Sequence, residues 1–516
     1  MILDMKKMIR KTIIFSLITI SLISVSWTGL SINDNRSSIN LLDEDQINIP
    51  IYFDELKIIN ELKLLYPLTS VPVIIDKGGI FKINFLSEDF DNLDIHISTA
   101  YEPIIDIYSL EIMEITNNNN IWNVVAKIPI EVTEELYNIS IFVEKNGKIY
   151  TDHEPRAVSV VSEFKENFSF IHITDLHLGD PRGFTESIRK TLGWKSLKKS
   201  IDEINLIHPD FVIITGDLVY GQLYPFEYKR EYKKCYEVLQ RFDVPTYLCP
   251  GNHDGYRRIG EDGLKFWNEY FGPFYYSFNY GNHHFIACNS YDMPDLLRIS
   301  ISFFALNWGG NIGDGQLQWI ENDLQTRNYE NLYLFMHHNP LWETKKYSFI
   351  RKKYQNRIEL LSLIDEYNAN MVLAGHIHAD NVTIINDTIF VTTTTPAGIV
   401  REKDAYWGYR LIEIENGEIV SYNYNEPKFS IPSYHLSLKK REGLLFASAT
   451  ITNGLEIDLN LLVKFVMPLK EYSIDNGDII LKRDGTDKTE LYVRFIANKQ
   501  SKTKIKLSPK SLAENK

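Results

Sequence analysis

The sequence predicts an α/β core carried between two β-rich blocks. From about 166 to 425, short apolar runs alternate with stretches of helical periodicity, the pattern of sheets covered by helices. From 48 to 160, and again from 430 to 510, short runs alternate apolar and polar residues between turn clusters, the pattern of antiparallel strands. The chain has 516 residues, enough for about three domains.

The first element is an address. Lys6, Lys7, Arg10 and Lys11 precede an uncharged run over 12–32. A basic flank before an apolar stretch is the layout of a signal peptide. The run is also nearly long enough to span a bilayer once, so a retained membrane anchor is the alternative, with a buried core helix a third reading. Either of the first two exports the bulk of the chain, to the extracellular space or the cell surface. Residues 33–46 are polar and read as a linker.

The first β block then runs through VPVII, IFKINF, LDIHIS, WNVVAKIPI and YNISIFVE. Asn146-Gly147 between two strand-like runs signals a hairpin. A small antiparallel sandwich of Ig-like type is expected here. In the middle block, strands are expected at 168–174, 211–215, 245–249, 283–290, 332–336 and 371–374. Helices are expected around Trp194–Ile204, near 226–241, around Leu317–Leu324 and near 356–367. The last block, with FASATIT, LEIDLNLLVKFV, DIILKR and ELYVRFIA, reads as a second small β domain.

Composition narrows the function. Three cysteines cannot build a disulfide framework or a zinc ribbon, so a metal site must use histidine and carboxylate. A net charge of −13 argues against coating nucleic acid. Composition does not fix the oligomeric state.

Five places in the middle block put ligand-type residues directly after an apolar strand: Asp175-Leu176-His177, Gly216-Asp217, Gly251-Asn252-His253-Asp254, His337-His338-Asn339 and Gly375-His376-Ile377-His378. Ligands of open α/β sheets collect at the carboxyl ends of strands. Singly, each motif reads as readily as a turn or a cap. Gly-His-x-His carries most weight alone, because alternate side chains of an extended segment share a face. In order, behind five buried strands, they make one polynuclear site plausible.

These five blocks resemble the calcineurin-like metallophosphoesterase superfamily, whose pattern is D-x-H, G-D, G-N-H-[DE], H and G-H-x-H. The resemblance covers about 166–425. SFNYGNHHFIACNSYD at 277–292, followed by Gln316–Glu321, is similar to the purple-acid-phosphatase-like and cyclic-phosphodiesterase-like branch. The resemblance implies a four-layer αββα core of two mixed sheets flanked by helices. It implies two transition metals, divalent or mixed-valence, from Zn, Mn or Fe. The first would be held by Asp175, His177, Asp217 and His378, the second by Asp217, Asn252, His337 and His376, with Asp217 bridging. It implies hydrolysis of a small phosphate ester, mono- or diester, by in-line attack of a metal-bridging hydroxide. His253 would act on the phosphoryl or leaving oxygen, with Asp254 hydrogen-bonded to its imidazole. Tyr220 follows Asp217 by three, as does the iron-binding tyrosine of purple acid phosphatases, but His177 already fills the place that tyrosine takes.

Other residues have plainer readings. His338 competes with His337, and the first His after the strand is the family's position. His172, His283 and His284 sit within strands and read as structural, and Cys249 as a small core residue. Arg182, Arg257 and Arg258 suit phosphate oxygens or solvent. Trp308 and Trp342 would stack on a nucleoside or simply pack. The competing function is a non-catalytic cell-surface binding protein built on a phosphoesterase fold. Against it, every family ligand and the proton donor are in place.

Overall fold

The computed structural model describes residues 62–180, 190–222, 226–301, 304–342, 353–400 and 406–510, with strand segments at 38–39, 47–48, 51–52 and 184–187. The expected leader over 1–32 lies outside these residues, as does Arg182. Ser38–Ile39 pairs antiparallel with Ile51–Tyr52, in a small unit apart from the rest. Everything below belongs to the other unit.

The middle block is a mixed α/β fold on two sheets. The first sheet uses β1 (Phe168–Ile173), β2 (Phe211–Thr215) and β3 (Thr246–Cys249) as parallel neighbours. The second has the short strand Ile47–Asn48 at its edge, then the hairpin β4 (Tyr276–Tyr280) and β5 (His283–Ala287), and runs in parallel through β6 (Asn331–Phe335), β7 (Met371–Ala374) and Thr388–Thr392. Gly408–Glu415 returns antiparallel to β1, and Glu418–Ser421 and Ile431–Pro432 pair with it on its far side. Helices at Leu192–Ile207, Tyr228–Leu239, Asp314–Thr326 and Arg357–Glu366 occupy the connections.

Strand periodicity explains the layering. In β1 and β2, Ile171, Ile173, Val212 and Ile214 share one buried cluster with Leu197, Ile201 and Ile204 of the first helix and with Val238 and Leu239 of the second. The alternate residues Phe170, Phe211 and Ile213 lie in another cluster with Phe278, Phe285, Tyr333 and Phe335 of the second sheet. The two sheets therefore meet through aromatic side chains: Tyr247 stacks on Phe278 at 3.6 Å, and Phe211 meets Phe285 edge-on at 5.3 Å.

Residues 62–161 form a four-stranded and a five-stranded sheet, antiparallel except where Val73–Asp76 pairs with Lys148–Val161. The Asn146-Gly147 turn has φ values of 53° and 72°, the double positive φ that a two-residue hairpin of type I′ requires. Residues 436–509 form two further antiparallel sheets. Their interior, including Ile451, Val463, Val493 and Ile505, is continuous with the cluster around the first helix.

Two arginines tie these blocks together. Arg156 is buried and donates to the carbonyls of Phe242 (2.8 Å) and Val244 (2.5 Å), just before β3. Its Nε also reaches Tyr101 Oη at 2.9 Å. Arg483 pairs with Asp106 (2.7 Å) and Glu135 (3.3 Å) of the first β block and with Glu490 (2.9 Å) of the last.

Arg156→Met should cost about 2–4 kcal/mol, because it leaves the buried Val244 carbonyl without its side-chain donor and removes the guanidinium from the Tyr101 hydroxyl, which itself donates to Phe242 O. Arg156→Lys should recover only part of this, since an ammonium lacks the planar fork. Equilibrium denaturation measures both, and an unchanged midpoint for the Met variant would show that the guanidinium does no docking.

Candidate metal centre

Because β1, β2 and β3 are parallel neighbours, and so are β6 and β7, their carboxyl ends lie on one edge of each sheet. The five ligand-rich loops leave from those ends and meet. Three motif glycines allow the approach. A Cβ on Gly216 would collide with the backbone of Gly251, one on Gly251 with the Asp217 carboxylate, and one on Gly375 with Thr174 and Asp175.

The backbone pays for this convergence in conformation. Asp175, His177, Asp217, His376 and His378 have φ values of 57°, 45°, 51°, 75° and 55°. Non-glycine residues rarely take this left-handed region, at a cost of about 1–3 kcal/mol each. Residues 375–378 are therefore a bent loop, not the extended segment that Gly-His-x-His suggested. The two histidines reach different partners: His376 Nδ1 lies 3.2 Å from His337 Nε2, and His378 Nε2 lies 3.2 Å from Asp175 Oδ1.

Asp217 stands at the centre. Its Oδ2 is 3.6 Å from His177 Nε2 and 3.2 Å from His337 Nε2, while Oδ1 accepts from the His253 N–H at 2.8 Å. On one side, Asp175, His177 and His378 draw together, with their two imidazole Nε2 atoms 2.9 Å apart. On the other, His337 Nε2 faces Asn252 Oδ1 at 3.1 Å. All seven sequence-predicted ligand residues thus come into one cluster.

The orientations follow from hydrogen bonds behind them. A carbonyl only accepts, so His337 Nδ1 donates to Thr215 O (2.7 Å) and His378 Nδ1 to Ile399 O (2.6 Å). With Nδ1 so occupied, each Nε2 faces the cluster and offers its lone pair there once a cation takes the place of its proton, an arrangement typical of metal-binding histidines. Asn252 Nδ2 donates to Tyr256 Oη at 2.6 Å, which turns its amide oxygen inward. Asp175 Oδ2 is fixed by Thr174 Oγ1 and by the His376 N–H, both at 2.9 Å. Asp175 Oδ1 is buried with no hydrogen-bond partner.

Electrostatics give the same picture. Burial opposes charge on Asp217, yet His337 and His253 hold its carboxyl well below the usual range. Burial pulls His337 down, but Asp217 and Asp175 outweigh it and push the imidazole up to about 9. The cluster therefore demands positive charge. Converging lone pairs, two carboxylates and an orphaned carboxylate oxygen fit cations of the Zn, Mn or Fe type.

Two sequence expectations need correction or narrowing. Asp254 does not hydrogen-bond the His253 imidazole. Its Oδ1 accepts from Leu218 N (2.9 Å) and Val219 N (3.2 Å), and its Oδ2 from Gly251 N (2.8 Å). The short helical turn after Gly251 carries the carboxylate back toward the Gly-Asp loop, so it clamps two metal loops together. His253 Nδ1 instead meets Tyr220 O at 2.5 Å, and its Nε2 lies 3.9 Å from Asp217 Oδ2. His338 is close enough to His337 and His376 to share an ion, but both its nitrogens are engaged, by Ser290 Oγ (2.9 Å) and Trp308 O (3.0 Å).

His172 bridges Thr393 and Thr215, His284 bonds Asn279 and Asp323, and His283 meets Tyr333 Oη, each as a structural histidine. Arg257 pairs with Asp295, and Arg258 is buried against Gly221 O. Trp308 and Trp342 are half-buried and stand edge-on to His376, at 6.4 Å and 5.6 Å. Nothing in the sequence marked Thr174, or Thr395, whose hydroxyl donates to Asp175 O at 2.7 Å. Tyr256 alone had a local signal, four residues after Asn252.

Residues 168–380 match the family model of the calcineurin-like phosphoesterases, so the resemblance read from the motifs holds for this stretch. The chain is 27% identical over 207 residues to a probable glycerophosphodiester phosphodiesterase of Arcobacter nitrofigilis, covering 39% of this chain and 70% of that one. It is 28% identical over 214 residues to a 3′,5′-cyclic-nucleotide phosphodiesterase of Nostoc, covering 41% and 72%. Among solved structures, a dimetal phosphatase from Danio rerio aligns at 15% identity and a TM-score of 0.36, covering 48% of this chain and 93% of that one.

Tyr256→Phe removes the hydroxyl that orients Asn252. Metal affinity should fall about 10- to 100-fold, the range for losing an outer partner of a ligand. Titration of the metal-depleted variant with Zn or Mn, read by calorimetry, measures this. Affinity equal to the parent's would mean that the amide needs no orienting group.

Proposed function

We propose that this chain is an exported binuclear metallophosphoesterase that hydrolyses phosphodiesters or phosphomonoesters. The observation that carries the reading is Asp217, whose carboxylate lies between His177 on one side and His337 on the other. Asp175, His177, Asp217 and His378 would hold one metal, and Asp217, Asn252, His337 and His376 the second. When bound, such a pair lowers the pKa of a water and clamps both ends of an in-line displacement.

The chain's own groups do the rest. The Tyr220 carbonyl holds Nδ1–H of His253, so Nε2 is the atom that would hand a proton to the leaving oxygen. Asp254 acts through the loops it clamps. Trp308 and Trp342 offer flat surfaces beside His376 for the organic part of a substrate. The names of the two relatives favour a diester. Within this proposal the core is the four-layer αββα arrangement, the block expected over 48–160 is an Ig-like sandwich, and 430–510 is a small β domain that shares its interior with the first helix of the core. Export rests on the basic-then-apolar run at the start of the sequence. Among the described residues, no helix is long and apolar enough to cross a membrane.

His253→Ala should keep both metals but lower kcat by roughly 10²–10⁴-fold. The loss should shrink on nitrophenyl esters, whose leaving groups need little protonation. Asp217→Ala should instead lose metal outright. Metal content measured beside turnover separates the two. Equal metal loss in both variants would make His253 a ligand, and full turnover of His253→Ala on an alkyl ester would end its proton-donor role.

A further inference from the structure

The last β block carries a surface that the site does not use. In the sheet of Leu436–Glu442, Ala447–Asn453 and Ser501–Pro509, directly opposed residues share a face. Leu436, Ala447, Ala449, Ile451, Ile505 and Leu507 are buried on the inner face. On the outer face, Lys439 stands opposite Thr450, and Thr450 opposite Lys504. Arg441 stands opposite Ser448, and Ser448 opposite Lys506, with Lys502 one step further along its strand.

Five cations, Lys439, Arg441, Lys502, Lys504 and Lys506, thus point outward, all exposed. Alternate residues along a strand are about 6.8 Å apart and neighbouring strands about 4.8 Å, so they occupy a patch roughly 10 Å by 14 Å. The other outward residues of these three strands are Ser437, Ser448, Thr450, Thr452 and Ser508, none of them charged, while Asp475, just past the neighbouring strand Tyr472–Ile474, accepts from the Lys506 N–H at 2.6 Å and sets one carboxylate at the edge of the patch. None of the five cations makes an ion pair among the described residues. In a chain of net charge −13, such a face is a local reversal of sign.

An apolar tip adjoins it. The hairpin joining the first two of these strands turns at 443–446, closed by Gly443 N to Phe446 O at 3.1 Å. Leu444, Leu445 and Phe446 are 80%, 64% and 55% exposed. The turn begins two residues past Arg441 and ends two before Ser448, the partner of Lys506. Three consecutive large apolar side chains held at a turn in water are unfavourable unless something covers them.

We propose that this surface docks on an anionic lipid bilayer, with the tip Leu444–Phe446 inserting at the headgroup boundary and the basic sheet face lying against the lipid phosphates. A bilayer interface satisfies both halves at once, by apolar insertion and by attraction of lysine and arginine. Nucleic acid would satisfy only the charge.

The test uses the full chain with Phe446→Cys carrying an environment-sensitive fluorophore. Cys235, Cys249 and Cys288 are buried, so the label goes to the tip and reports its insertion whatever the rest of the chain does. The emission should shift to the blue on adding vesicles of phosphatidylcholine mixed with phosphatidylglycerol, and should not shift with phosphatidylcholine alone. K502E/K504E/K506E in the same labelled background should lower the apparent vesicle affinity at least about tenfold, with an unchanged thermal melt. The proposal is overturned by no shift on anionic vesicles, by equal shifts on both vesicle types, by charge-reversed protein responding like the parent, or by duplex DNA binding the basic face while the tip ignores lipid.

Discussion

The structure turns on two carboxylates, Asp175 and Asp217, buried where the two sheets' strand ends meet. A buried carboxylate is costly unless positive charge answers it. Here imidazoles from both sheets supply part of that answer, and cations of the right chemistry would complete it. The surrounding features serve this demand: histidines locked with Nε2 inward, an amide turned by a tyrosine, and glycines that let three loops close up.

That demand also explains the strained backbone. Left-handed conformations at five ligand residues are unfavourable singly, and hydrogen bonds between loops offset them. Asp175 N and His177 N donate to the carbonyls of Gly216 and Asp217, His376 N to Asp175, and Asp254 accepts from three amides on two loops. Each loop is held by its neighbours more than by its own sequence.

This sets what was legible in the chain. Buried strands announce themselves: FVIIT and MVLA were expected at 211–215 and 371–374 and lie at Phe211–Thr215 and Met371–Ala374. Ligand types at strand ends were equally visible, because parallel strands ending on one edge must bring their loops together. The partners behind the ligands were not. Whether Asp254 meets the adjacent imidazole or amides some 35 residues away depends on the fold of a short helical turn that no local pattern encodes. The left-handed φ values at His376 and His378 were hidden for the same reason: Gly-His-x-His is compatible with a strand, and only the approach of Asp175 bends it.

His172 has a mechanical consequence. It is fully buried, and burial pulls its imidazole down to about 3, so it is neutral. It ties Thr215, at the end of β2, to Thr393, just past the Thr388–Thr392 strand of the other sheet. Thr215 also supplies the carbonyl that orients His337. The two sheets are thereby pinned directly behind the cluster, and sliding one against the other would break the His172 bonds together with the one that orients His337.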